Sequence, residues 1–340
     1  MSGPSNFLRR VNAELQHYKL PCFRIINPHP GQLKDLYNDD WIKVGRLDGT
    51  IYYKLTSINL YNLVRQRREH RIELLKSIPD PFTLCLNSPI NSYLNRASGK
   101  ILQKADIIIF QSELSRQMHR KFFGDAKQKS YVILNGVPVE IFNPDVKSVK
   151  LKGSPRLVIT ASFRLHKRLQ NAIDLINNLR KKLPGITLHV IGVMDNLTEE
   201  HIQLMDLSSC IFHGHVDSSR LPSIYAGCDL GLSPSLFDPC PNSVAEMVAC
   251  GLPVLTTSAS GAAEIIKNPE LIIAEDLDFD FMELQTAEAI PVIDISAWSE
   301  AVVSALDNRI NLSHSMLRRV EEEIDIKIVA KRYANAINGY

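Results

Sequence analysis

Between residues 150 and 310, short apolar runs alternate with stretches in which apolar residues recur every three or four positions. "RLVIT", "ITLHVIG", "CIFHG", "DLGLSPS" and "PVLTT" read as strands buried on both faces. After the first of them, "RLQNAIDLINNLRKKL" places Leu169, Ala172, Ile173, Ile176 and Leu179 on one helical face, and Pro184-Gly185 breaks the helix. "SSRLPSIYAG" is a short helix, and "SVAEMVAC" is another, with Asn242 or Ser243 as its N-cap and Gly251 as its C′ residue. The first half repeats the alternation more weakly. "SNFLRRVNAELQHY" predicts a helix with Phe7, Leu8, Val11 and Leu15 inward, and "FRII", "WIKVGRL", "FTLCL", "ADIIIF" and "SYVIL" predict strands. "FNPDVKSVKLKGSP" reads as a polar linker, and "DIKIVAKRYANAINGY" as a basic amphipathic helix. Such alternation predicts an α/β fold with two doubly wound parallel-sheet domains facing a cleft. The divisions fall at residues 1–145 and 150–322, with a terminal helix over 323–340.

Composition narrows the class. The chain has 340 residues, enough for two cores, and its apolar (45%) and charged (22%) fractions are those of a soluble globular protein. A formal charge of +2 argues against nucleic-acid binding. No apolar run approaches the roughly 18 residues a membrane span needs, and "MSGPSNFLRR" lacks the apolar core of a signal peptide. Six cysteines with no Cys-x-x-Cys pair suit reduced thiols in a cytoplasmic protein. The segment "LVRQRREHRIELLK" over 63–76 reads as a solvated face. Its alternative is a patch meeting anionic lipid headgroups or an anionic acceptor, which would put the protein peripherally on a membrane.

Ligands of open α/β sheets bind outside the carboxyl ends of the strands. The residues expected there are Asp48-Gly49, Gln111-Ser112, Asn135-Gly136, "SFRLHK" and "LFDPCPNSVAE". No Gly-x-Gly-x-x-Gly follows a strand and no Walker A sequence occurs, so neither a redox cofactor nor a P-loop is expected. His213 and His215 flank Gly214 without a third ligand, so no metal site is expected. Arg164 and Lys167 follow the first strand of the second domain and suit an anion. Their alternative is a solvated basic turn. Asp238 lies in the loop entering a helix, and Glu246 shares a helical face with Asn242, placing carboxylates where hydroxyls could be read. The competing interpretation is a capping box, Ser243-x-x-Glu246, with Asp238 a turn residue. Cations, helix amides and carboxylates together describe a nucleotide-sugar pocket.

"SPSLFDPCPNSVAEMVACGLPVLTTSASGAAEII" resembles the donor segment of family 4 retaining glycosyltransferases (the group 1 glycosyltransferases), which have the type B fold of two Rossmann-like domains. The resemblance rests on an acid, seven residues, a Glu, then Gly-x-Pro-Val, followed by Gly261 and Glu264. "YVILNGVPVEIFNPD", "VGRLDG" and "ADIIIFQSELSRQM" are similar to further segments of that family. The resemblance implies a hexosyltransferase-type enzyme of glycan biosynthesis that needs no metal or cofactor and passes a sugar from a nucleotide diphosphate to a saccharide or glycan hydroxyl. It implies Arg164, Lys167 and Asp238 as catalytic. It also implies Pro241, Asn242, Ser243, Val244 and Glu246 as donor-binding, and Gly3, Asp48 and Gly49 on the acceptor or cleft side. The terminal helix would cross back onto the first domain. Three features depart from the family pattern. The first acid is Asp rather than Glu, Arg164 and Lys167 stand closer together, and "SGPSNF" resembles the loop after a first strand that the first domain would then lack. The first and third departures favour the alternative of a catalytically weak or inactive nucleotide-sugar-binding protein. A sugar-nucleotide epimerase on the same fold is a further one.

Overall fold

The computed structural model describes residues 3–26, 37, 42–47, 290–339 and 100–275 apart from 102, 124 and 237. Asp48, Gly49, the predicted strand "FTLCL" and the basic stretch 63–76 lie outside the described residues.

The first half opens with helix α1 (Gly3–Leu15), followed by strands β1 (Phe23–Ile26), β2 (Ile42–Leu47) and β3 (Ile107–Phe110), helix α2 (Glu113–Phe123) and β4 (Lys129–Val132). The strands pair in parallel in the order β1-β2-β3-β4. All four residues of β3 are buried, as a strand covered on both faces requires.

The second half winds twice. Its elements are β5 (Arg156–Thr160), α3 (Leu169–Leu179), β6 (Thr187–Ile191), α4 (Asn196–Ile202), β7 (Cys210–Gly214), α5 (Leu221–Tyr225), β8 (Leu230–Ser233), α6 (Asn242–Ala249), β9 (Val254–Thr257), α7 (Ala262–Ile266) and β10 (Ile272–Ile273). The sheet order is β10-β9-β8-β5-β6-β7, all parallel. The chain starts in the middle, builds outward through β7, then returns to the other side of β5. That reversal opens a crevice beyond the carboxyl ends of β5 and β8, where ligands of this topology bind.

Helices α8 (Ile295–Asp307) and α9 (Arg309–Arg319) and a π-helical turn (Val320–Ile324) lead to α10 (Ile326–Asn338). Asp325 starts α10 by accepting from the Lys327 amide at 2.9 Å. Its apolar stripe, Ile326, Val329, Ala330, Tyr333 and Ile337, packs with Phe7, Val11, Leu15, Val44 and Ile107 of the first half. The terminal helix therefore shares its core with the opening helix. Among the described residues, no helix is long and apolar enough to cross a membrane.

Candidate functional site

Helix α6 begins at the crevice. Its N-cap is Pro241, so Asn242 and Ser243 are the first two helical residues, and neither is the cap that their side chains suggested. Proline offers no side-chain acceptor, and the first turn of α6 carries no side-chain cap. The competing capping box is absent too, because the Glu246 carboxylate accepts from Arg10 Nη1 of α1 at 3.2 Å instead. At its other end α6 closes in a Schellman motif. The Gly251 amide donates to Val248 O at 2.9 Å and the Leu252 amide to Met247 O at 3.1 Å.

Beside the open end of α6 lies a recess of about 10 Å³, lined by Thr160, Ala161, Ser233, Asp238, Pro241 and Ser243, among others. Asp238 is fixed from behind: its carbonyl accepts from the Gly261 amide at 2.8 Å and from Ser260 Oγ at 3.2 Å. A Cβ on Gly261 would lie 1.9 Å from Pro239 O, so only glycine allows this approach. The Asp238 carboxylate pairs with Lys167 Nζ, and both side chains are mostly buried. Lys167 ends the 3₁₀ turn Leu165–Lys167 that follows β5. Arg164, the N-cap of that turn, is exposed and pairs with no described residue. The structure thus joins Lys167 to Asp238 and leaves Arg164 apart. Arg168, which the sequence reading did not single out, is buried in the left-handed region (φ 53°) and holds both Glu275 carboxylate oxygens at 2.8 Å.

Glu246 is 9% exposed. Burial pushes its carboxyl up, while the charge and hydrogen bond of Arg10 pull it down, and the net shift is upward. The Arg10 guanidinium also lies 5.8 Å from the centre of the buried Phe142 ring. The Glu246 carboxylate of one half therefore has its cation in the other.

A second link between the halves centres on buried Asn135. Its Nδ2 donates to Gln111 Oε1 at 3.1 Å, to Cys240 O at 3.2 Å and to Asn242 Oδ1 at 2.9 Å. Its Oδ1 accepts from Arg46 Nη2 at 3.1 Å, and the same nitrogen donates to Gln111 at 3.2 Å. Arg46, Gln111 and Asn135 come from the carboxyl ends of β2, β3 and β4, and Asn135 links this network to Cys240 and Asn242 at the approach to α6. In a third link, the Glu264 carboxylate caps α2, accepting from the Glu113 amide at 2.7 Å and the Leu114 amide at 2.9 Å.

Val244 follows Ser243 in the first turn of α6 and is buried, while Gly3 is the first residue of α1. His213 does not work with His215. Its Nε2 lies 2.9 Å from His189 Nδ1, with the two rings stacked. Among the described residues, no group of three or more His, Cys, Asp or Glu is placed to hold a metal ion.

The family model for glycosyl transferases group 1 matches residues 142–320. Over 226 residues the chain is 24% identical to a glycogen synthase of Mycobacterium tuberculosis, an alignment covering 66% of this chain and 51% of that protein. The chain thus spans about half the length of that relative. In fold it is similar to a sucrose-phosphate synthase from Thermosynechococcus elongatus, with a TM-score of 0.62 at 15% identity over 91% of this chain and 70% of the other. It is also similar to Anabaena HepE, solved in complex with UDP and glucose, with a TM-score of 0.57 at 15% identity over 88% and 72%.

Proposed function

The chain belongs to the group 1 glycosyl transferases and has their fold of two parallel-sheet α/β domains, and from that premise we propose that it is a retaining, metal-independent enzyme moving a sugar from a nucleotide diphosphate to a hydroxyl of a saccharide or glycan acceptor. The observation that carries this reading is the Lys167–Asp238 pair seated beside the uncapped start of α6 at the topological switch point. A helix start with no side-chain cap and a lysine next to it form a site for a diphosphate. Asp238 and Glu246 would then accept from hydroxyls of the transferred sugar and of the ribose. HepE, a structural relative solved with UDP and glucose, makes UDP-glucose the first donor to try.

The chemistry follows from the charges. The acceptor oxygen bonds to the anomeric carbon on the face that the leaving group vacates. The bond from that carbon to the phosphate oxygen breaks with its electron pair on the diphosphate, and the acceptor proton passes to that phosphate. Negative charge grows on the diphosphate in the transition state, where Lys167 Nζ and the amides of Asn242 and Ser243 would lie, the Val244 amide already donating to Pro241 O at 3.1 Å. Arg164 is free to turn toward the same phosphates.

A panel of UDP-, GDP- and ADP-sugars tests the reading through sugar release and transfer. Lys167→Ala should lower kcat about 100- to 1,000-fold. NMR of the product should show the donor's anomeric configuration, and a chelator should leave the rate unchanged. An inverted product would refute retention, and loss of activity with chelator would refute metal independence. Nucleotide binding without sugar release would identify a binding protein instead, and release of epimerised sugar an epimerase.

A further inference from the structure

Glu246 is a carboxylate buried inside a helix, and its usefulness toward ribose hydroxyls depends on its remaining ionised. A carboxylate accepts at about four lone-pair positions, whereas a protonated carboxyl turns one of them into a donor. Among the described residues, three titratable groups influence it. They are Arg10 from α1, Tyr225 from α5 and Cys250 at the C-cap of α6 itself. Burial pushes the Tyr225 hydroxyl up and the Cys250 thiol up to about 12, so both are neutral at pH 7. The offsetting charge comes from Arg10 alone among these groups. Arg10 reaches Glu246 through one contact, Nη1 to Oε1 at 3.2 Å, and this leaves most of the lone-pair positions for a ligand. The guanidinium is steadied by the Phe142 ring, so it does not depend on Glu246 alone for its place.

We propose that Arg10 is a positioning residue of the donor site, a counter-ion supplied by the first half that keeps Glu246 an acceptor-only carboxylate for the paired hydroxyls of a nucleotide ribose. The inference rests on the nucleotide-sugar reading above. It makes the donor site composite: the second half carries the acid, and the first half sets its charge.

The test is the affinity of the full chain for UDP-glucose, by calorimetry, between about pH 8 and about pH 6. Each phosphate of this donor has one ester and one anhydride link, leaving a single strongly acidic oxygen that stays ionised throughout. The wild type and Arg10→Lys should bind with less than about threefold variation across the range. Arg10→Gln should weaken toward the lower end at least about threefold more than the wild type does, the direction expected once the charge that pulls the Glu246 carboxyl down is removed. Glu246→Gln should bind weakly with no such slope. Melting curves establish that each variant is folded. A profile for Arg10→Gln parallel to the wild type overturns the proposal, and so does an equal, pH-independent loss in Arg10→Gln and Arg10→Lys. If the wild type binds none of UDP-, GDP- and ADP-glucose, the donor reading itself fails and takes this proposal with it.

Discussion

Asp229 holds two arginines at once. Its carboxylate accepts from Arg156 Nε at 3.0 Å, from Arg156 Nη2 at 3.2 Å and from the Arg156 amide at 2.8 Å, and it also pairs with Arg309. Burial alone would raise its pKa, but these hydrogen bonds and charges outweigh it and hold the carboxyl below its ordinary 3.8. A depressed folded value means stability that is present above pH 3.8 and lost as pH falls toward the folded value. Thermal melts between neutral pH and about pH 3 should therefore show a loss in the wild type that Asp229→Asn lacks. At neutral pH that variant should already be about 1–2 kcal/mol less stable, since two partly exposed cations lose their buried anion. If both proteins melt in parallel across the series, Asp229 contributes nothing to acid sensitivity. The same comparison of residues and partners explains what the sequence revealed of the site. Lys167, Asp238 and Glu246 could be picked out because each lies in or beside a local motif. Arg10 could not, because its partner is 236 positions away and the helix that carries it reads only as amphipathic. Gln111 and Asn135 were marked as strand-end residues, but the bond from Asn135 to Asn242, with Gln111 behind it, appears only once the two sheets face each other.

Among the elements, β5, β6, β8 and β9 were legible because buried parallel strands are nearly unbroken apolar runs, whereas the two-residue edge strand β10 was not predicted. The start of α6 was not. Asn242 and Ser243 are strong caps by type, yet Pro241 precedes them with extended backbone (φ −69°, ψ 114°) and takes the cap position itself. Asn242 consequently turns its side chain toward Asn135. The loop before α6 is held against α7 by the contact of Gly261 with Asp238 and Pro239. Backbone atoms crowd that position, so Gly261→Ala must displace one of the two segments. We expect a stability loss of about 1–3 kcal/mol, read by urea denaturation. Binding of UDP-glucose should fall further than stability, because the displaced loop carries Asp238. Unchanged affinity in a destabilised Gly261→Ala protein would mean that the loop's position is not set by this contact.

For the molecule as a whole, α10 ties the end of the described chain to its beginning. Tyr333 is fully buried, with its ring centre 6.3 Å from that of Phe7. Tyr333→Ala should cost about 3–5 kcal/mol. The loss should fall on the first half, so that limited proteolysis cuts within residues 3–132 before the second sheet opens. Cleavage in the second half first would show that α10 does not support α1. The cross-links between the halves also have a consequence for engineering. Sequence comparison invites treating the segment matched by the family as an exchangeable module, to be joined to the opening half of a relative with a different acceptor. Here such a chimera would arrive with Glu246 lacking its guanidinium, Asn242 lacking the Asn135 amide and Glu264 facing a foreign helix start. Transplanting this module would require moving Arg10, Arg46, Gln111 and Asn135 along with it, so the boundary that matters for recombination runs through side chains and not along the linker.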